Sequence, residues 1–158
     1  MDEWKVRLEE LRTMLAAHVH VLSDTPEEDA MKKIMGWAEG NGIREARLFG
    51  RNTYPTDNPE PHGYEFFLTV GPDIKPEDGI DMTEIHGGLY AVLRFQNLNM
   101  IGEAWKKLWR WIEDSKREHI GMKKGEYGWV DGYEEQLNWQ EKKPPTEWVL
   151  DLWIQLKE

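Results

Sequence analysis

Cysteine is absent from the 158 residues. That excludes disulfides, thiolate metal sites and a cysteine nucleophile. Long apolar runs are missing too. The longest is five residues, Leu89, Tyr90, Ala91, Val92 and Leu93, far short of a membrane span. Positive charge is scarce: Lys plus Arg number 20 against 30 for Asp plus Glu, for a net charge of -10. A surface this acidic repels phosphate backbones, which argues against direct nucleic-acid binding, and it favours cationic small molecules. The opening residues Met1, Asp2, Glu3, Trp4 and Lys5 hold no apolar stretch of the signal-peptide kind, so the expected location is cytoplasmic. No P-loop, dinucleotide fingerprint or nucleophile elbow occurs, and no cofactor is implied. Five histidines are present, at 18, 20, 62, 86 and 119. His18 and His20 share a strand face but have no identifiable third ligand, so no metal site is predicted.

Tryptophan is abundant. Nine occur, at 4, 37, 105, 109, 111, 129, 139, 148 and 153. Trp105, Trp109 and Ile112 fall at helical spacing and read as core. Trp129, Trp139, Trp148 and Trp153 lie on or near predicted strands, where alternate faces can line a cleft. Nine indoles exceed what one small core commonly needs and point to a flat aromatic groove.

The local patterns predict an α+β fold. Residues 2–17 read as an amphipathic helix, with Trp4, Leu8, Leu11 and Leu15 on one stripe, and form a separate N-terminal element over 1–17. His18, Val19, His20 and Val21 alternate like a half-buried strand. Ser23, Asp24, Thr25, Pro26, Glu27 and Glu28 form a helix start, and Gly40, Asn41 and Gly42 stop that helix. Strands follow around Leu48, Phe49 and Gly50 and over 63–70, with a polar connector over 72–81. A strand over 82–95 is expected to carry a bulge at Gly87 and Gly88. A helix over 99–116, a strand over 127–137 broken at Gly132, and an alternating strand over 148–156 complete the chain.

One internal match organises these elements. Residues 30–39, AMKKIMGWAE, align without gaps on 104–113, AWKKLWRWIE, at an offset of 104 minus 30, or 74. Ala30, Lys32, Lys33, Trp37 and Glu39 recur as Ala104, Lys106, Lys107, Trp111 and Glu113. Val19 falls on Leu93 and Val21 on Phe95. Two copies are too few for a solenoid. The pattern predicts a duplicated βαββ unit with a pseudo-two-fold axis, repeat one over about 18–72 and repeat two over about 82–158, forming one domain over 18–158.

Acids embedded in aromatic strands are the candidate chemistry. Tyr64 and Glu65 precede Phe66 and Phe67. Tyr133, Glu134 and Glu135 lie between Trp129 and Trp139. Glu134 and Glu135 must face opposite sides of a sheet. A carboxylate pointing inward among aromatic rings can pair with a cationic aromatic ligand, with cation–π support from the ring faces. It can also act as general base on a water beside a bound electrophile.

The motif Gly87-Gly88-Leu89-Tyr90-Ala91-Val92 resembles the GyrI-like small-molecule-binding superfamily. So do the helix from Gly102-Glu103-Ala104-Trp105 to Trp111, the Tyr133-Glu134-Glu135 strand and the closing strand from Leu150 to Lys157. Effector-binding domains of AraC-type and MerR-type bacterial regulators belong to that superfamily. In the first half, Thr25-Pro26-Glu27-Glu28, Leu48-Phe49-Gly50 and His62-Gly63-Tyr64-Glu65 look like a standalone branch, some of whose members detoxify cyclopropanoid DNA-alkylating natural products by hydrolysis. The resemblance implies two βαββ repeats, helices on one side of antiparallel sheet, and a central groove for lipophilic, aromatic or cationic compounds, as in multidrug binding. It puts the groove's central acid on Glu134, with Glu135 one register away. It implies Tyr133 or Tyr64 as the catalytic partner of Glu134. Tyr64, Glu65, Tyr90, Trp105, Trp109, Trp129, Trp139 and Trp153 are the remaining expected ligand contacts. A gyrase-inhibitor type of protein interaction and a homodimer are further implied partners. The regulators carry a DNA-binding domain for which one N-terminal helix leaves no room.

Overall fold

The computed structural model describes residues 4–54, 62–75, 77, 79–120, 123–125, 128–130 and 132–158. It is an α+β fold of two helices on a curled antiparallel sheet. The strands are β1 (Val6–Leu11), β2 (Met14–Leu22), β3 (Leu48–Tyr54), β4 (Gly63–Thr69), β5 (Asp81–Ile85), β6 (Gly88–Gln96), β7 (Lys123–Gly125), β8 (Gly128–Val130), β9 (Tyr133–Gln136) and β10 (Val149–Gln155). The helices are α1 (Pro26–Gly40) and α2 (Ile101–Ser115). Helix α1 starts as its sequence dictates, with Pro26 in the first turn and Glu27, Glu28 and Asp29 at the positive end of the helix dipole.

The expected N-terminal helix is not formed. Its residues make β1 and the start of β2. The stripe that suggested a helix is not a buried face: Leu8 is 41% exposed and Leu15 37%, whereas Leu11 is 7% exposed. Non-local pairing decides the matter. Val6 stands opposite Leu93, Leu8 opposite Ala91 and Leu11 opposite Gly88, so β1 serves as the outer neighbour of β6. Eight residues with both helical and alternating apolar spacing take whichever partner the tertiary structure offers.

Hydrogen bonding orders eight strands as β1-β6-β10-β9-β3-β4-β2-β5, with the β7–β8 hairpin joined at β3. Strand β2 shifted by 74 residues covers the same span as β6. Two chain-adjacent pairs sit at opposite ends of this path. Only Arg12 and Thr13 separate β1 from β2, and only His86 and Gly87 separate β5 from β6, yet β1 pairs with β6 and β5 with β2. The sheet must curl until its ends approach, giving a half-barrel. The expected bulge at Gly87 and Gly88 is this crossing between two strands. A Cβ on Gly87 would collide with the backbone of Leu11 and Thr13, and Gly88 has φ 139°, where a side chain is strained.

Helix α1 buries Ala30, Ile34 and Ala38 against Ala17, Val19, Leu48, Phe66 and Leu68. Helix α2 buries Ala104, Leu108 and Ile112 against Ala91, Leu93, Phe95, Leu150, Leu152 and Ile154. Leu48 stands opposite Gln136, and Gln136 opposite Leu150, so both helices lie on one face. The helix-free face carries a third cluster that includes Phe49, Phe67, Tyr90, Val92, Tyr133 and Trp153. No helix among the described residues is long and apolar enough to cross a membrane.

Candidate functional site

Strands β9 and β3 meet at the middle of the sheet path, between the two helix-covered halves. Strand alternation puts Glu134 on the helix face there, opposite Gly50 on β3 and Leu152 on β10. Its carboxylate is reached from both sides. The Tyr64 hydroxyl, from β4, donates to Oε1 at 2.6 Å. The Trp105 indole N–H, from α2, donates to Oε2 at 3.1 Å. Glu134 is 7% exposed. Tyr64 lies two strands away and crosses β3 over Gly50, where any Cβ would run into the phenol ring and its hydroxyl. Residue 50 must therefore be glycine for the pair to form.

Burial, reinforced by the charge of Glu134, pushes the Tyr64 phenol well above its ordinary range. The phenol stays protonated and acts as a donor. The buried carboxylate is held by two neutral donors, the phenol hydroxyl and the N–H edge of the indole, where strands β9 and β3 meet.

Glu135 points the other way. Arg47 grips it with two bonds of 2.9 Å, and the Trp153 indole N–H donates to it at 3.2 Å. The Arg47 guanidinium stands 4.9 Å from the Phe49 ring centre and 5.6 Å from that of Trp153. Glu65 also lies on the helix-free face, bonded to His18 Nε2 at 2.6 Å and Arg51 Nε at 2.5 Å. Burial opposes the charge of Glu65, but the His18 hydrogen bond and Arg51 override it and lower its pKa. Burial likewise opposes a charged His18, and its bonds to Glu65 and Asp81 override that and raise it. Strand β10 adds Asp151, bridged by Arg7 at 2.8 Å and Arg94 at 2.9 Å.

Of the sequence-predicted residues, the structure brings together Glu134, Tyr64 and Trp105. Tyr133, Tyr90 and Trp153 gather instead on the helix-free face with Glu65 and Glu135, and Tyr90 donates to the His86 carbonyl at 2.7 Å. Tyr133 faces away from Glu134, its pKa raised by burial. Trp109 packs on the α2 core and meets His119 edge-on at 4.8 Å. Trp139 donates to the Ala46 carbonyl at 3.1 Å and lies against the α1 core. Trp129 sits on β8, and its side chain lies outside the described residues. Sequence reasoning missed Gly50 and the arginines Arg7, Arg47, Arg51 and Arg94. A glycine inside a strand is the signal that points to residue 50, whereas isolated arginines gave none.

Solved structures with the same fold include EcmrR. Its C-terminal domain aligns with a TM-score of 0.69 at 14% identity, covering 98% of both chains. In the EcmrR–DNA complex the TM-score is 0.71 and this chain spans 58% of the other's length. A hydrolase from Listeria innocua aligns at TM-score 0.66 and 8% identity, over 97% of this chain and 92% of that one. SAV2435 bound to tetraphenylphosphonium aligns at 0.53 and 9%, over 97% and 94%. At these identities the likeness is one of fold. No curated protein sequence matches. Residues 5–157 match the GyrI-like small molecule binding domain, which is nearly the whole chain, and the protein therefore belongs to the GyrI-like family of small-molecule-binding domains.

Proposed function

We propose that the protein binds lipophilic aromatic cations at the junction of its halves, with Glu134 as counter-charge and Trp105 as ring partner. The observation that carries this reading is the Tyr64–Glu134–Trp105 arrangement, a buried carboxylate oriented by neutral donors in an aromatic setting. A cation there gains Coulomb energy in a low dielectric and ring contact at once. The ligand of SAV2435 is a compound of this class. The acidic exterior raises the local concentration of such ligands. Tetraphenylphosphonium and a flat cationic dye are the probes, read by quenching of intrinsic tryptophan fluorescence. Glu134→Gln is expected to weaken both by about tenfold, near 1.4 kcal/mol. Equal affinity in the variant removes Glu134 from the reading.

A second reading rests on the 2.6 Å Tyr64–Glu134 pair. Such a pair suits hydrolysis of a strained ring conjugated to a carbonyl: the water oxygen bonds to a ring carbon as the ring C–C bond breaks and its electron pair passes to the carbonyl oxygen, Glu134 takes the water's proton and the opened product is protonated in turn, while Tyr64 holds the carboxylate in place. Incubation with a spirocyclopropane alkylator under multiple turnover tests it. A ring-opened, water-added product supports hydrolysis, and stoichiometric protection without product leaves binding alone.

A further inference from the structure

The two donors that hold Glu134 reach it by different routes. Tyr64 crosses β3 over Gly50. Trp105 comes down from the early part of α2 and is only partly buried. Gly132 lies two residues before Glu134, so the two positions share the helix face of the sheet. A Cβ at Gly132 would stand 3.1 Å from Cη2 of the Trp105 indole and 3.2 Å from Cγ1 of Ile154, and would run into the Trp153 backbone carbonyl. The indole thus spans both positions, with its N–H on Glu134 and its far corner over Gly132.

The neighbours of residue 132 are not equally able to yield. Trp153 and Ile154 belong to β10, which pairs with β9 through Trp153 opposite Tyr133 and Leu152 opposite Glu134. Ile154 is fully buried in the α2 core. The half-exposed indole is the neighbour freest to move when residue 132 gains a side chain. Glycine weakens a strand, and its presence there marks a close approach by another group. By the 74-residue offset Trp105 corresponds to Met31, a side chain without a hydrogen-bond donor that packs against the α1 core. The hold on Glu134 from a helix therefore belongs to the second half alone.

On the reading of Glu134 as counter-charge, we infer that Gly132 is a positioning residue of the cation site: by having no side chain it lets the Trp105 indole lie along β9 and set its N–H on Glu134. Each donor to the carboxylate then passes over a glycine, Tyr64 over Gly50 and Trp105 over Gly132. Gly132 acts on the bound cation only through Trp105.

The test uses the full chain as parent, Gly132→Ala, Trp105→Phe and the double variant, with tetraphenylphosphonium as the probe. Affinity is read by calorimetry and stability by urea unfolding. The Trp105 indole N–H signal in two-dimensional NMR is the one that Trp105→Phe removes. Gly132→Ala is expected to shift that signal to lower proton frequency, as the bond to the carboxylate is lost, and to lower affinity about fivefold. A phenyl ring at 105 stops short of residue 132. In that background Gly132→Ala is expected to lower the urea midpoint again, through the Trp153 carbonyl, yet leave affinity where Trp105→Phe alone put it. An unmoved indole signal overturns the proposal, and so does an equal loss of affinity in both backgrounds. The parent gives a check that needs no change at residue 132. The Gly132 α-protons should show a cross-relaxation contact with Trp105 Hη2 and a ring-current shift that Trp105→Phe abolishes. Absence of both overturns the proposal even where Gly132→Ala fails to fold. A parent that binds no tetraphenylphosphonium removes the Glu134 reading itself. That result is told apart from failure at Gly132 because the indole signal reports the placement of Trp105 without ligand.

Discussion

Tyr64 reaches Glu134 across β3 because residue 50 has no side chain. Gly50→Ala puts a methyl into the phenol's path, and overpacking of this sort costs about 1–3 kcal/mol. The expected result is a lower urea midpoint together with weaker cation binding, since the Tyr64 donor moves off the carboxylate. Unchanged affinity in a destabilised Gly50→Ala protein would mean that Tyr64 does not orient Glu134. His18 is the other residue with a sharp expectation. Its Nδ1 faces Asp81 at 2.8 Å and its Nε2 faces Glu65 at 2.6 Å. Because its folded pKa is raised, its contribution to stability is complete below the unfolded value near 6.5 and disappears as pH rises through the folded value. Glu65 is lowered, so its contribution holds above about 4.5 and disappears as pH falls through its folded value. Unfolding free energies of the parent and His18→Gln should therefore differ most on the acid side of neutrality and converge toward alkaline pH. A gap constant with pH would show that His18 is not held as an imidazolium.

Strand β1 is the element whose placement is least local. It lies beside β6, while its chain neighbour β2 belongs to the other end of the strand path. Asp151 on β10 clamps it from one strand further in, binding Arg7 on β1 and Arg94 on β6. The Asp151 side chain is 2% exposed, whereas Arg7 is 36% and Arg94 58% exposed. Solvent screens the arginine ends, so the net worth of the clamp lies between that of surface and buried pairs. Asp151→Ala is expected to cost about 1–3 kcal/mol and to speed amide exchange in β1 before β10. Equal acceleration in both strands would show that the clamp does not act on β1 in particular. The same element illustrates how far sequence patterns reach. Helices α1 and α2 and strands β4 and β10 were legible because caps, proline placement or strict alternation favour one structure over its rivals. The first 17 residues were not, since their spacing suits two structures and β6, whose residues pair with β1 from 77 to 87 positions away, selects between them.

At the scale of the whole molecule, the net charge of -10 acts on anything that approaches. Association of tetraphenylphosphonium should slow several-fold between about 0.01 M and 0.15 M salt, as the screening length drops from roughly 30 Å to 8 Å. Stopped-flow quenching measures this, and a rate indifferent to salt would confine the electrostatics to contact with Glu134. Composition, the 74-residue match and the acids within aromatic strands were enough to establish an α+β chain with its candidate carboxylates at 65, 134 and 135. Alternation alone also required Glu134 and Glu135 to face opposite ways, because the strand period is two. It could not say which way the helices lie, or whether Tyr64 or Tyr133 meets the acid. Those outcomes depend on contacts between residues far apart in the chain: Glu134 with Tyr64 across seventy positions, Glu135 with Arg47 across eighty-eight. Local spacing carries no information about such pairs, and only the curled sheet, by bringing β9 against β3, decides them.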